Sequence, residues 1–105
     1  MNIETQNVGK LIRKCVNEID IDAEIILYGS RARGDRRKDS DWDILVLTDY
    51  PASVEKEKMF RDKLYELELK IGKPISIFIF SKQDWKATQR ITPFYKNVTT
   101  EGIQL

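Results

Sequence analysis

Two aspartates separated by one residue, Asp41 and Asp43, are the residues of this chain best suited to chemistry. On a β-strand, alternate side chains share a face, so both carboxylates project together while Trp42 turns to the opposite, core side. Mg²⁺ prefers hard oxygen ligands and commonly takes one or two carboxylates besides phosphates and water. We therefore predict Asp41 and Asp43 as metal ligands and as the catalytic residues.

A glycine-serine pair, Gly29-Ser30, lies ahead of the aspartates, with ten residues between Ser30 and Asp41. Glycine lets the backbone approach a phosphate closely, and N–H groups at the start of a following helix, with the Ser30 hydroxyl, can donate to it. Five cationic residues follow within eight positions and predict a cationic rim suited to a triphosphate. The alternative is a solvated loop kept soluble by charge. The rim consists of Arg31, Arg33, Arg36, Arg37 and Lys38.

The composition excludes several kinds of catalysis and indicates the cellular compartment. The chain has no histidine, which excludes histidine acid/base catalysis, Ser-His triads and histidine zinc sites. Its one cysteine, Cys15, cannot form an intramolecular disulfide and favours a reducing compartment. No leader pattern and no apolar run of roughly 18 residues is present, so we expect a cytoplasmic protein without a membrane span. A net charge of +1 provides no overall attraction to nucleic acid.

The hydrophobic pattern predicts a single α/β domain over residues 1–105, with a small mixed sheet packed against helices. Such folds bind ligands at one end of the strands, and the Gly-Ser turn lies at a strand end. Trp42 should pack in the core, and Trp85, Phe94 and Tyr95 should attach the last helices to the sheet. The expected elements are a helix from Val8 to Ile19, strands 24–28 and 42–48, a helix 54–71 capped by Ser53 and Gly72, a strand 75–80, a short helix from Ser81 to about Gln89, a helix from Pro93 to Glu101, and an edge strand 103–105.

The Gly-Ser motif and the Asp-x-Asp motif together are more specific for a protein family than either motif alone. Gly-Ser-x-Ala-Arg-Gly from Gly29, followed by Ser-Asp-x-Asp-Ile from Ser40, resembles the minimal nucleotidyltransferases of the DNA polymerase β superfamily. The resemblance implies their fold, Mg²⁺ as cofactor, and transfer of a nucleoside monophosphate, AMP from ATP or another triphosphate, to a hydroxyl of a protein or small molecule. By position it implies that Gly29 and Ser30 hold the triphosphate and that Arg33 is a further phosphate-side residue.

Members of this length often resemble the antitoxin of a two-gene toxin–antitoxin pair. The resemblance implies an all-helical partner of the HEPN type and adenylylation of that toxin, commonly on a tyrosine. The residues of this chain indicate no partner by themselves, and they leave self-association into a homo-oligomer open.

A third carboxylate, usual on the next strand of active members, is missing from the predicted strand 75–80. Ser76 is the polar residue nearest the expected place, and Glu66, Glu68 or Asp84 could substitute only from outside the strand. Two hypotheses remain: an enzyme working with two carboxylates, and a module of this fold that neutralises a partner by contact. A nucleic-acid reader is disfavoured because the positive charge is local and lacks an aromatic stacking platform.

Overall fold

The helices and strands follow the predicted order. The computed structural model describes residues 2–35 and 40–105, which form five α-helices, a 3-10 helix and four strands. The helices are α1 (Ile3–Ile19), α2 (Ser30–Arg33), α3 (Val54–Ile71), α4 (Lys82–Ala87) and α5 (Pro93–Glu101), with a 3-10 helix at Gln89–Ile91; the strands are β1 (Glu24–Tyr28), β2 (Trp42–Thr48), β3 (Ile75–Ser81) and β4 (Ile103–Gln104).

The strands form one mixed sheet in the order β3-β2-β1-β4. β1 is antiparallel to β2, with Tyr28 opposite Asp43, and β2 is parallel to β3, with Asp43 opposite Ser76. β4 pairs antiparallel with the other side of β1. The small mixed sheet is therefore confirmed. Its register aligns the end of β1 with the starts of β2 and β3, so the Gly-Ser turn and the aspartates lie at the same end.

The two faces of the sheet have separate cores. Trp42, 1% exposed, and Ile44 contribute to the larger core, which α1 and α3 cover. Leu45 and Leu47 turn to the other face and pack with residues of α4 and α5. Asp43 alternates with Trp42 and Ile44 and therefore lies on this second face. The expected packing roles of the tryptophans and late aromatics are confirmed; the second core includes Trp85, Val98, Phe94 and Tyr95.

Capping side chains determine where the helices begin. Ser53 accepts the N–H of Lys56 at 3.2 Å, and Thr92 accepts the N–H of Tyr95 at 3.1 Å, as N-caps do. Asn2 caps α1, so that helix begins before the apolar stripe from which it was predicted. The helix after Ser81 ends at Ala87, earlier than predicted, because the chain tightens into the 3-10 helix. No helix in the described part of the chain has the length and apolarity needed to cross a membrane.

Candidate functional site

Asp43 lies directly against the Gly-Ser turn. Gly29 has φ +75° and ψ −159°, a conformation that essentially only glycine adopts, and a Cβ at this position would lie 2.3 Å from Oδ2 of Asp43. Asp43 is half-buried, and Asp41, just before β2, is exposed. The structure thus brings together the turn and the aspartates that the sequence placed ten residues apart.

The carboxylates of Asp41 and Asp43 are both negative and repel each other. Burial raises the pKa of Asp43 above its ordinary value, and the charge of Asp41 raises this pKa further. The guanidinium of Arg33 lowers the same pKa, while the more weakly coupled Glu101 raises it. A partly desolvated pair of hard oxygen donors of one sign fits a divalent cation such as Mg²⁺, because bound positive charge would offset both effects.

The raised pKa of Asp43 predicts a pH-dependent cost in the metal-free protein. The folded state holds this proton more tightly than the unfolded state, so the related stability is full below the ordinary aspartate pKa and is lost as the pH rises through the raised pKa. We expect Asp43→Asn, which cannot ionise, to melt at a higher temperature than the parent near neutral pH in the presence of a chelator. Thermal melts from about pH 4 to about pH 7 measure the difference between the two proteins. A lower melting temperature for the variant at neutral pH would contradict this assignment.

The Gly-Ser turn begins a one-turn helix. The carbonyl of Gly29 accepts the N–H groups of Ala32 and Arg33, each at 3.1 Å, and Ser30 is the first residue of α2. On its other side, the N–H of Gly29 donates to Oε1 of Glu101 at 3.1 Å. The peptide before the turn is therefore held by a residue from the far end of the chain.

Arg33, the predicted phosphate-side residue, lies at this turn with its guanidinium between two carboxylates. Nη1 donates to Oε1 and Oε2 of Glu101 at 3.2 and 3.1 Å. Nε and Nη2 donate to Oδ2 of Asp35 at 3.3 and 3.2 Å. Sequence reasoning missed Glu101, because no spacing rule relates the end of α5 to a turn 72 residues earlier.

Arg31 is not part of a cationic rim, and this expectation was wrong. Its side chain is 7% exposed, and Nε and Nη2 donate to the carbonyl of Ser40 at 3.1 and 3.0 Å. Its guanidinium lies 4.3 Å from the centre of the Trp42 ring. Arg31 therefore joins α2 to the start of β2. Of the other predicted rim residues, Arg33 is exposed and paired with two carboxylates, and three lie outside the described residues: Arg36, Arg37 and Lys38.

We expect Arg31→Lys to lower the free energy of unfolding by about 1 to 2 kcal/mol, because an ammonium cannot reproduce a planar fork that both stacks and donates twice. Urea denaturation measures the loss, with Arg13→Lys on the exposed surface of α1 as the matched control. Equal stability of the two variants would contradict the structural role of Arg31.

None of the residues of β3 supplies a third carboxylate for the metal site. Ser76 stands opposite Asp43, and among residues 2–35 and 40–105 no three His, Cys, Asp or Glu side chains are grouped so that they could hold a metal ion. Glu68 instead accepts the N–H of Ile75, and the N–H of Asp84 is capped by Ser81 at the opposite end of β3. Glu66 lines a groove between α1 and α3. The carboxylate that bonds directly to the peptide before the turn is that of Glu101.

Comparison with known proteins identifies the family to which this fold belongs. The sequence family described as nucleotidyltransferase domain matches residues 10–103, and this chain is a member of that family. A comparison with curated proteins found no match.

Three solved structures share the fold at low sequence identity. A crystal structure of the toxin–antitoxin MntA–HpeT in a tyrosine-to-alanine mutant form aligns with TM-score 0.66 and 19% identity, covering 92% of this chain and 70% of that one. A double aspartate-to-glutamate mutant of MntA–HpeT gives TM-score 0.60 and 18% identity, covering 91% and 69%. A toxin–antitoxin crystallised with AMP-PNP gives TM-score 0.55 and 18% identity, covering 88% and 70%. The nucleotidyltransferase fold predicted from the sequence is confirmed.

Proposed function

We propose that this protein is a Mg²⁺-dependent nucleotidyltransferase that moves a nucleoside monophosphate, AMP from ATP, to a hydroxyl of a protein or small molecule. One observation carries the proposal: the carboxylate of Asp43 lies against the α-carbon of Gly29, so the metal donors and the phosphate turn are contiguous. Nucleotidyl transfer requires this proximity, because charge must be neutralised on the phosphoryl group while the phosphates are held in place.

The residues of the site have separate roles. Asp41 and Asp43 would hold Mg²⁺, which when bound offsets negative charge on the phosphate oxygens. Ser30, with its hydroxyl and its N–H at the start of α2, would donate to the triphosphate. Arg33 would contact a phosphate by exchanging one of its carboxylate partners for a phosphate oxygen.

Transfer forms a bond between the acceptor oxygen and the α-phosphorus and breaks the bond to pyrophosphate, with the two oxygens roughly in line. With the phosphates at the end of β1 and the metal donors on β2, the acceptor hydroxyl approaches from the side of β3. Ser76 lies there and is not an ionised base near neutral pH, so the hydroxyl proton passes to water or to a group on the partner.

The structural neighbours support ATP as substrate and a toxin as acceptor. They are toxin–antitoxin proteins, and one of them was crystallised with AMP-PNP. Together with the sequence resemblance, they favour the antitoxin of a pair in which a helical HEPN-type toxin receives AMP.

A second candidate function is a binding module of the same fold that neutralises its partner by contact. It is favoured by Ser76, which occupies the position opposite Asp43 where a carboxylate would complete the metal site. In that case a bound nucleotide would stabilise the fold or its binding surface and would not be a substrate for transfer.

One experiment separates the two. The purified protein is titrated with ATP, GTP, CTP and UTP, with and without Mg²⁺, and α-phosphate-labelled nucleotide is then offered with a co-expressed helical partner protein. Mg²⁺-dependent binding followed by label on the partner is the expected result. Binding without label on any acceptor would support the binding module, and the absence of binding by all four nucleotides would contradict the proposed enzyme.

A further inference from the structure

Glu101, the last residue of α5, reaches back to the Gly-Ser turn and bonds to two of its parts. Oε1 accepts the N–H of Gly29 at 3.1 Å, and both carboxylate oxygens accept Nη1 of Arg33 at 3.1 to 3.2 Å. The Glu101 side chain is 21% exposed, so these bonds are partly shielded from water. One carboxylate thus joins the peptide before the turn to the side chain after it.

The backbone around Glu101 is fixed on both sides. Val98, one turn earlier in α5, is buried in the second core, and its carbonyl accepts the N–H of Gly102 at 2.7 Å. A Cβ at Gly102 would lie 2.7 Å from Cγ2 of Ile26, so the chain passes close over β1 before it enters β4. The position of Glu101 is therefore set by the sheet and not by its own ion pair.

An ordinary surface ion pair does not account for this arrangement. Exposed salt bridges contribute little to stability, and the outer part of Arg33 is already paired with Asp35. Glu101 also adds a negative charge close enough to raise the pKa of Asp43. A carboxylate kept near Asp43 repels it, and a contact with only a structural role would not require that repulsion.

We propose that Glu101 is a positioning residue that holds the Gly29 peptide and the Arg33 guanidinium in the arrangement needed to receive a triphosphate. This inference rests on the proposed function. The N–H of Gly29 points to Glu101 while its α-carbon lies against Asp43, so a rotation of this peptide would displace the turn relative to the metal donors. Glu101 prevents that rotation before any ligand binds. The turn then loses less conformational entropy when a triphosphate binds.

The second effect concerns Arg33. Its charge already lowers the pKa of Asp43, so the guanidinium lies within electrostatic range of the metal donors. Glu101 accepts from Nη1 with both carboxylate oxygens, so this end of the fork is already occupied. Without Glu101, the same end can pair with Asp43 and compete with a cation for its oxygens.

The test compares Glu101→Ala with Glu101→Gln. The glutamine keeps an oxygen that can accept from Gly29, whereas the alanine keeps no acceptor. Glu18→Ala is the matched control, because it also removes a carboxylate from an ion pair, in this case with Nζ of Lys63 at 2.7 Å and away from the turn. Two quantities are measured: the hydrogen-exchange rate of the Gly29 amide without nucleotide, and the Kd for ATP with Mg²⁺.

We expect Glu101→Ala to exchange the Gly29 amide at least tenfold faster and to bind Mg²⁺ and ATP about tenfold more weakly, which corresponds to about 1.4 kcal/mol. Glu101→Gln should keep most of the protection and stay within about threefold of the parent Kd. Glu18→Ala should leave both quantities unchanged.

Unchanged exchange in Glu101→Ala would overturn the inference, and so would faster exchange with an unchanged Kd. An equal loss of affinity in the glutamine and alanine variants would overturn it as well, because charge rather than positioning would then be responsible. If the parent itself binds no nucleotide, the proposed function fails, and the exchange rates alone decide whether Glu101 holds the turn.

Discussion

Replacing Asp41 and Asp43 together by asparagine will abolish Mg²⁺-dependent binding of nucleoside triphosphates and leave the chain folded. Amides are weaker ligands for Mg²⁺ than carboxylates, and both the burial of a charged group and the repulsion from Asp41, which raise the pKa of Asp43, disappear with the charges. We expect affinity for ATP with Mg²⁺ to fall by about 100-fold or more, and residual binding to become independent of Mg²⁺. Isothermal titration with and without Mg²⁺ measures both effects.

The matched control removes the same charge elsewhere. Asp22 and Asp62 are exposed and lie away from the turn, so Asp22→Asn with Asp62→Asn changes the net charge equally without touching the site. This control should bind as the parent does. Mg²⁺-dependent affinity that survives in the Asp41 and Asp43 double variant would show that these aspartates are not the metal ligands.

Gly29→Ala will disable the site and destabilise the fold. Gly29 has φ +75° and ψ −159°, a combination that alanine adopts only with strain, and the new Cβ would lie 2.3 Å from Oδ2 of Asp43. Relief of that overlap requires Asp43 or the turn to move, which separates the metal donors from the phosphate turn. We expect nucleotide affinity to fall by about 100-fold, because small displacements of positioning groups have effects of this size.

Gly72→Ala measures the strain of a left-handed helical glycine without any overlap; Gly29, at φ +75° and ψ −159°, lies in a region essentially restricted to glycine, so its own backbone strain adds to the overlap. Gly72 has φ +70° at the end of α3, and a Cβ there would meet nothing within 4 Å. This variant should lose about 1 to 2 kcal/mol of unfolding free energy from strain alone and keep its nucleotide affinity. Urea denaturation and titration of both variants give the comparison. Equal stability losses, with full nucleotide binding by Gly29→Ala, would contradict the role of close contact at Gly29.

The elements of this fold could be predicted because their signals are local. The run from Glu24 to Tyr28 is apolar and ends at a glycine, and the structure places β1 over the same residues. Trp42 to Thr48 is rich in aliphatic residues and forms β2. The cap at Ser53 is also local, since an N-cap side chain bonds two or three residues ahead.

The parts of the site that could not be predicted depend on contacts between distant segments. Glu101 reaches Gly29 only because α5 packs on the second face and β4 then pairs with β1. The residues around Glu101 in the sequence do not indicate that it contacts Gly29. Arg31 was misassigned for a related reason: charge pattern alone does not distinguish a guanidinium facing solvent from one that stacks on Trp42.

The order of the strands has a consequence for how the protein behaves in concentrated solution. Within the described residues, β3 has a neighbouring strand only on its β2 side, and it extends over seven residues with Phe78 48% exposed. Such an edge is a template on which a strand of another molecule can add, which is the first step of aggregation. Lysines stand at both ends of it, Lys73 and Lys82, and charges in these positions oppose that addition. We therefore expect Lys73 and Lys82, the second of which pairs with Asp49 at 2.8 Å, to limit self-association through this edge.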